Sequence, residues 1–366
     1  MNTRVGVDGR KIPESAKRGP LGSLHHAKEL GLEGIFFRTV LDMSPTLDPG
    51  ELRDIGQLAS ELDLYVETGL GKVNPFGSAE APELREIGDG DIVLGFRRMM
   101  EACAAQGWRE LWVATANYKP KFRGKYAYDR FRTDVDWSDQ LRATEGFLKR
   151  LAPIARDLGI HMNLETHEEI TSFEVIRLVE AVGTDVTGIV FDTANVLQRA
   201  EHPIHAAKRL APYVRQTHIK DALLSFDGGG IEFQLRPCGD GVVDFRELLP
   251  ILLRENPDLN LSIENAEYYE NSEPPLYTMH IDIFDEGWLD GHPDLTVREF
   301  AQYIEMVKDY EQRITSGDQP TLGEYRARPY QFDDAIAYIL RSAEHLRGII
   351  DELEGQHLEP LAGVRR

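Results

Sequence analysis

The sequence predicts a (β/α)8 barrel with a long insertion between its eighth strand and its last helix. Three observations lead there. Eight short apolar runs alternate with helix-length segments through most of the chain. The runs are nearly continuous in apolar residues, as strands covered on both faces are. The last four of them end in or near Glu165, Asp192, His218 and Glu264, four residues of metal-binding type. Strand ends of a barrel converge on one face, so residues far apart in sequence can surround one ion there. An open doubly wound sheet is the runner-up. It is disfavoured because the first run is followed by Gly-Arg-Lys-Ile-Pro and lacks the glycine-rich phosphate turn of a dinucleotide fold.

Taken in order, the strands are expected at 4–8 (Arg-Val-Gly-Val-Asp), 34–38 (Gly-Ile-Phe-Phe-Arg), 64–69 (Leu-Tyr-Val-Glu-Thr-Gly) and 111–115 (Leu-Trp-Val-Ala-Thr). The second four follow at 161–167 (His-Met-Asn-Leu-Glu-Thr-His), 188–193 (Gly-Ile-Val-Phe-Asp-Thr), 214–220 (Val-Arg-Gln-Thr-His-Ile-Lys) and 259–265 (Leu-Asn-Leu-Ser-Ile-Glu-Asn). Helical periodicity fills the gaps at 21–30, 49–62, 92–106, 138–158, 172–182, 203–210 and 245–255, with a last helix at 332–353. The chain reads as one domain over 1–366, without a fixed-period repeat. The segment 266–331 breaks the rhythm: it holds Tyr268, Tyr269, Pro274, Pro275, Tyr277, Phe284 and Trp288, then a helix-like stretch at 296–310. Long inserted loops of this kind usually carry function, so a lid or an interface is expected.

Length and charge bound the function. The 366 residues are 42% apolar, ample for a buried core, and 62 acidic residues against 41 basic ones leave a formal charge of −21. That balance disfavours nucleic-acid phosphates and anionic membranes and favours a small-molecule substrate. The opening Met-Asn-Thr-Arg-Val-Gly-Val-Asp carries no apolar export signal, and no stretch reaches the length of a membrane span, so a cytoplasmic protein is expected. Cys103 and Cys238 are too few for a disulfide framework and give no zinc-knuckle spacing.

Three carboxylates and one imidazole form a mostly hard ligand set, suited to Mn²⁺ first, with Mg²⁺, Co²⁺ or Zn²⁺ as alternatives. Four protein ligands on an octahedral ion leave two positions, enough for adjacent oxygens of a hydroxy-ketone. The ion would polarise the carbonyl and acidify the neighbouring C–H. Each ligand has a plainer reading too: a strand-end carboxylate such as Asp192 can cap the next helix, and His218 could be a core histidine. His167, two residues beyond Glu165, suits a general base, an outer contact to the site or substrate, or a cap of the helix near 172. Arg236 begins Arg-Pro-Cys-Gly-Asp-Gly, read as a loop after the seventh strand, where its fork could bind substrate hydroxyls or a carboxylate. Lys220, and the earlier strand ends Asp8, Arg38 and Glu67 with Lys72 nearby, complete the substrate-contact candidates.

These motifs resemble the sugar phosphate isomerase/epimerase family, the xylose isomerase-like TIM barrels. The stretch Asn163-Leu-Glu-Thr-His-Glu-Glu-Ile-Thr-Ser is similar to the family's Glu-x-His segment, Phe191-Asp-Thr-Ala-Asn195 to its Asp-Thr-Gly-Asn turn, and Thr217-His-Ile-Lys-Asp221 to its His-x-Lys-Asp strand. Gly239-Asp-Gly-Val-Val-Asp-Phe245 resembles its Gly-x-Gly-x-x-Asp-Phe loop, and Ser262-Ile-Glu-Asn265 supplies the last ligand. The likeness covers 160–265 best. It implies a metal on Glu165, Asp192, His218 and Glu264, with Glu165 and Glu264 exchanging protons on opposite faces of a sugar. The C-glycoside deglycosidase catalytic subunits and inosose dehydratases of the family imply a rival outcome, elimination from a keto sugar or cyclitol with His167 as base. Asn195 departs from the ketose 3-epimerases and the endonuclease-IV branch, which carry histidine there; this and the charge argue against a DNA-repair nuclease. A homo-oligomer, or a complex with a smaller partner subunit docked on the insertion, is the remaining expectation.

Overall fold

The computed structural model describes residues 2–116, 119, 121–265 and 278–355. The predicted Tyr268, Tyr269, Pro274, Pro275 and Tyr277 lie outside them. Eight strands form one parallel, nearly closed barrel: β1 (Val5–Asp8), β2 (Gly34–Phe36), β3 (Tyr65–Lys72), β4 (Glu110–Ala114), β5 (His161–Glu165), β6 (Thr187–Asp192), β7 (Val214–His218) and, after a hairpin, β10 (Leu261–Ile263). Their order around the wall is β10-β1-β2-β3-β4-β5-β6-β7. The wall closes between β7 and β10 through a short seam: Ile219 N donates to Ser262 O at 2.8 Å, Glu264 N to Ile219 O at 3.1 Å, and Thr217 Oγ1 bridges Asn260 and Ser262.

Period-two alternation sorts the strand side chains. Val5, Val7, Ile35, Leu111, Val113, Leu164, Ile189, Phe191 and Ile263 join the main core shared with the helices, whereas Phe36, Trp112, Ala114 and Val190 form a separate small cluster. The outer helices are α1 (Ser15–Glu29), α2 (Val40–Met43), α3 (Pro49–Glu61), α4 (Glu83–Glu86), α5 (Ile92–Ala105), α6 (Trp137–Leu158), α7 (Ser172–Val182), α8 (Pro203–Leu210) and α9 (Phe245–Glu255). α1 is broken at Gly19, whose φ of 65° is followed by Pro20, so its regular part begins where the sequence predicts it. α6 ends on Gly159 in the left-handed region, and α7 begins with a Thr171–Glu174 capping box.

The structure adds a hairpin that the loop reading of this region lacked. β8 (Asp221–Asp227) and β9 (Gly230–Arg236) pair antiparallel, and β11 (Thr278–Ile281) joins β9 to make a second, three-stranded sheet. The inserted segment continues through α10 (Glu286–Asp290), α11 (Val297–Thr315) and α12 (Leu322–Arg326) to α13 (Phe332–Gly355). It docks by burying Trp288, Tyr303, Val307 and Tyr310; Tyr303 donates to Leu197 O at 2.9 Å, and Glu299 pairs with Arg209.

Candidate metal centre

Glu165 ends β5, Asp192 ends β6, His218 ends β7 and Glu264 follows β10, so all four face the C-terminal mouth of the barrel. One ligand atom from each lies within 4.8 Å of all the others, and all four side chains are buried. His218 Nδ1 is 2.7 Å from Glu165 Oε1 and 3.5 Å from Glu264 Oε2. Its ring meets Phe36 edge-on, centroids 4.5 Å apart. Asp192 divides its two oxygens: Oδ1 accepts from the amides of Ala194 and Asn195 at 3.0 Å in the turn after β6, without capping α8, whose cap is His202, while Oδ2 turns to the cluster.

Three carboxylates this close repel one another, and buried cations answer them. Lys220 Nζ is 2.9 Å from both Asp192 Oδ2 and Glu264 Oε2, and Lys11 Nζ is 3.6 Å from Glu264 Oε1. Among the described residues neither Asp192 Oδ2 nor Glu264 Oε2 has a well-aligned hydrogen-bond donor, so the Lys220 contacts act chiefly through charge. Trp112 Nε1 donates to Glu165 Oε2 at 2.8 Å, and Arg38 stacks over that indole at 5.4 Å. Burial opposes charge everywhere here, yet neighbours decide most of the balance. Burial lowers the proton affinity of His218, but Glu165 overrides it and pushes the imidazole up to about 9. Burial likewise works against Glu165, which His218 holds down at about 2, and against Glu264, which Lys220 and His218 hold well below the carboxylate range. At Asp192 burial prevails over Lys220 and takes the carboxyl up to about 7. A divalent ion fits this donor set: three hard oxygen ligands and one imidazole converge, with buried carboxylate oxygens short of donors.

His167 lies just past the end of β5, and Thr171 takes the capping role at α7. Its Nδ1 is bracketed by two carboxylates, Glu169 Oε2 at 2.6 Å and Glu168 Oε2 at 2.7 Å. Thr115 holds the other oxygen of Glu169. Nε2 is 3.9 Å from Glu165 Oε2, facing the ligand cluster. Against burial, Glu168 and Glu169 raise the ring's proton affinity well above the usual histidine range.

The other candidates divide. Lys220 and Arg38 join the centre; the charge of Glu264, and then of Asp8 and Glu165, holds the proton on Arg38 against burial. Glu67 does not stand at a strand end: β3 runs on through a bulge between Gly69 and Gly71 to Lys72. Its carboxylate instead accepts from Asn260 Nδ2 at 3.0 Å and Ser262 Oγ at 3.3 Å, beside β10. Arg236 is the last residue of β9 rather than a loop residue, and its guanidinium, donating to Gln234 Oε1 at 2.7 Å, lies 3.5 Å from the Tyr325 ring of the insertion. Lys72 ends β3 and donates to Ala116 O. Unforeseen were Trp112, Lys11, Glu168 and Glu169. The doubled glutamate after His167 was the readable signal; for Trp112 and Lys11 none existed.

A family model described as the xylose isomerase-like TIM barrel matches residues 24–285. Among curated proteins, YihM of Escherichia coli K12 is 37% identical over 98 residues, 27% of this chain and 30% of YihM. The 3-oxo-isoapionate decarboxylase of Pectobacterium atrosepticum is 26% identical over 120 residues, 32% of this chain and 44% of that one. An inosose dehydratase of Clostridium botulinum is 25% identical over 175 residues, 44% of this chain and 56% of its own length. The chain thus spans about a third to a little over half of these relatives' lengths. Among solved structures, E. coli 3-keto-D-glucoside 4-epimerase YcjR superposes with a TM-score of 0.53 at 15% identity, covering 74% of this chain and 94% of its own. D-psicose 3-epimerase of Clostridium cellulolyticum H10 with D-tagatose gives 0.56 at 13%, covering 84% and 99%. At such identities these two share the fold.

Proposed function

Because the chain belongs to the xylose isomerase-like TIM barrel family, we propose that it is a divalent-metal-dependent sugar isomerase or epimerase, removing the proton next to the carbonyl of a keto sugar or cyclitol. The observation that carries this is the buried Glu165–Asp192–His218–Glu264 cluster at the mouth of the barrel. A divalent ion held there, manganese first among the candidates, would polarise the substrate carbonyl and acidify the C–H beside it. Lys220 and Arg38 supply positive charge for substrate oxygens. Glu165 and Glu264 each approach His218 Nδ1, at 2.7 and 3.5 Å, and in this reading move protons on opposite faces of the sugar. The segment 266–331 serves as lid or partner interface of a single domain.

A second reading, elimination of a β-leaving group, is favoured by the clamp on His167. Both oxygens of Glu165 are already engaged, by His218 and Trp112, whereas His167 Nε2 faces the cluster with its ring fixed at Nδ1. Proton abstraction at Nε2 then begins the reaction once the ring has given up the proton that, against burial, Glu168 and Glu169 favour. Incubating the metal-loaded protein with a panel of ketoses and inososes in D2O separates the two: deuterium in an unchanged skeleton marks isomerisation, and an unsaturated or fragmented product marks elimination. His167→Ala is expected to keep its metal and lose about 10²–10⁴-fold in turnover. Full turnover in that variant removes His167 from the mechanism; absence of metal from the wild type removes the whole proposal.

A further inference from the structure

Among the described residues, the side chain of Arg130 links the insertion to the clamp on His167. Arg130, between β4 and α6, is 5% exposed, and its guanidinium divides its donors among three stretches of chain. Nε and Nη2 both donate to the carbonyl of Gly291, Nε at 2.9 Å. Nη1 donates to Glu174 Oε2 at 2.6 Å and to the carbonyl of Glu169 at 3.3 Å. Gly291 terminates α10 in the insertion, and Glu174 completes the capping box of α7. Glu169 is the residue whose carboxylate takes His167 Nδ1 and whose other oxygen is held by Thr115. The clamp is therefore fixed twice, its side chain by Thr115 and its backbone by Arg130. Trp137 backs the guanidinium at 5.5 Å and donates to Glu174 Oε1 at 3.1 Å. Only a planar fork meets three acceptors at these angles; a lysine ammonium in the same place satisfies the charge and not the geometry. A plain buried ion pair would need Glu174 alone.

We propose that Arg130 is a positioning residue that sets the imidazole of His167 through the backbone of Glu169, and that by binding Gly291 it couples this setting to docking of the insertion. The functional weight of the coupling rests on His167 being a proton-carrying group, but the setting itself can be read without turnover.

Hydrogen–deuterium exchange of the full chain, with NMR of the His167 Nδ1 proton, reads it. In Arg130→Lys, exchange is expected to rise at least about tenfold in both 165–171 and 286–292, because one hydrogen bond to a charged group contributes about 1.5–3 kcal/mol. Exchange in β1 and β2 stays as in the wild type, and the Nδ1 proton loses protection. Glu174→Gln, which removes the ion pair and leaves the bonds to Glu169 and Gly291, keeps both segments slow. Three results overturn the proposal: 286–292 loosens while 165–171 does not; exchange rises evenly across the chain; or Glu174→Gln loosens both segments as much as Arg130→Lys. Failure of the His167 reading appears elsewhere, as full turnover in His167→Ala.

Discussion

At Asp192 a single carboxylate serves two partners, with Oδ1 given to the amides of Ala194 and Asn195 and Oδ2 to the cluster. Asp192→Asn keeps a carbonyl oxygen for the amides and removes the anion. Its metal affinity is expected to fall more than about 100-fold, beyond the cost of losing an outer partner, while the chelated variant melts no lower than the chelated wild type; metal titration and calorimetry check both halves. The meeting of Glu165, Asp192, His218 and Glu264 was legible because a strand-end position follows from sequence alone, and barrel geometry then brings strand ends together. Glu67 lies inside β3 rather than at its end, because the chain continues through a bulge between Gly69 and Gly71 as far as Lys72. Trp112 was illegible for a different reason. An indole inside an apolar run reads as core, and only its reach toward neighbouring β5 brings Nε1 to Glu165.

Between the seventh and eighth barrel strands, the hairpin β8–β9 shows what elements add to residues. Asp227-Gly-Gly-Gly230 between Ala-Leu-Leu-Ser-Phe and Ile-Glu-Phe-Gln-Leu is a hairpin signal that reading the region as loop passed over. Asp221 ties the hairpin to the glycine-rich loop by accepting from the amides of Ala222, Gly239, Gly241 and Val243 at 2.9–3.0 Å. Asp221→Ala strands these donors and is expected to cost at least about 3 kcal/mol, read as a lower denaturant midpoint. In the insertion, His292 Nδ1 donates to Trp288 O at 2.6 Å and Nε2 lies 3.2 Å from Arg199 Nη1, an arrangement that needs the neutral ring. Burial first, then Arg199, holds this imidazole well below its usual value. Above the ordinary histidine value of about 6.5 the ring is neutral folded or unfolded, and contributes no pH dependence. As pH falls below that value the unfolded chain takes a proton that the fold refuses, so stability is lost progressively. His292→Gln is expected to flatten the denaturant midpoint against pH below about 6.5.

For the whole molecule, the alternation of strands and helices sufficed to predict all eight barrel strands, because each element carries its own period. How the insertion docks was not legible, because it depends on single long-range contacts such as Tyr303 to Leu197 O. The net charge of −21 is distributed over the chain, but at the mouth three acids meet within 4.8 Å. Binding a divalent ion at about 100 times its dissociation constant adds roughly 2.7 kcal/mol, so the metal-loaded protein is expected to melt higher than the chelated one, by on the order of 5 °C. Where that loosening begins follows from the wall itself. β7 and β10 meet through little more than the bonds of Ile219, Glu264 and Thr217, and His218 and Glu264 stand on either side of that join. The barrel is a hoop with one weak weld, and a divalent ion bound at the cluster would be the rivet across it: on chelation, hydrogen exchange is expected to quicken first at Ile219 and Glu264, ahead of the outer helices, so that the proposed chemistry and the closure would be lost at the same place.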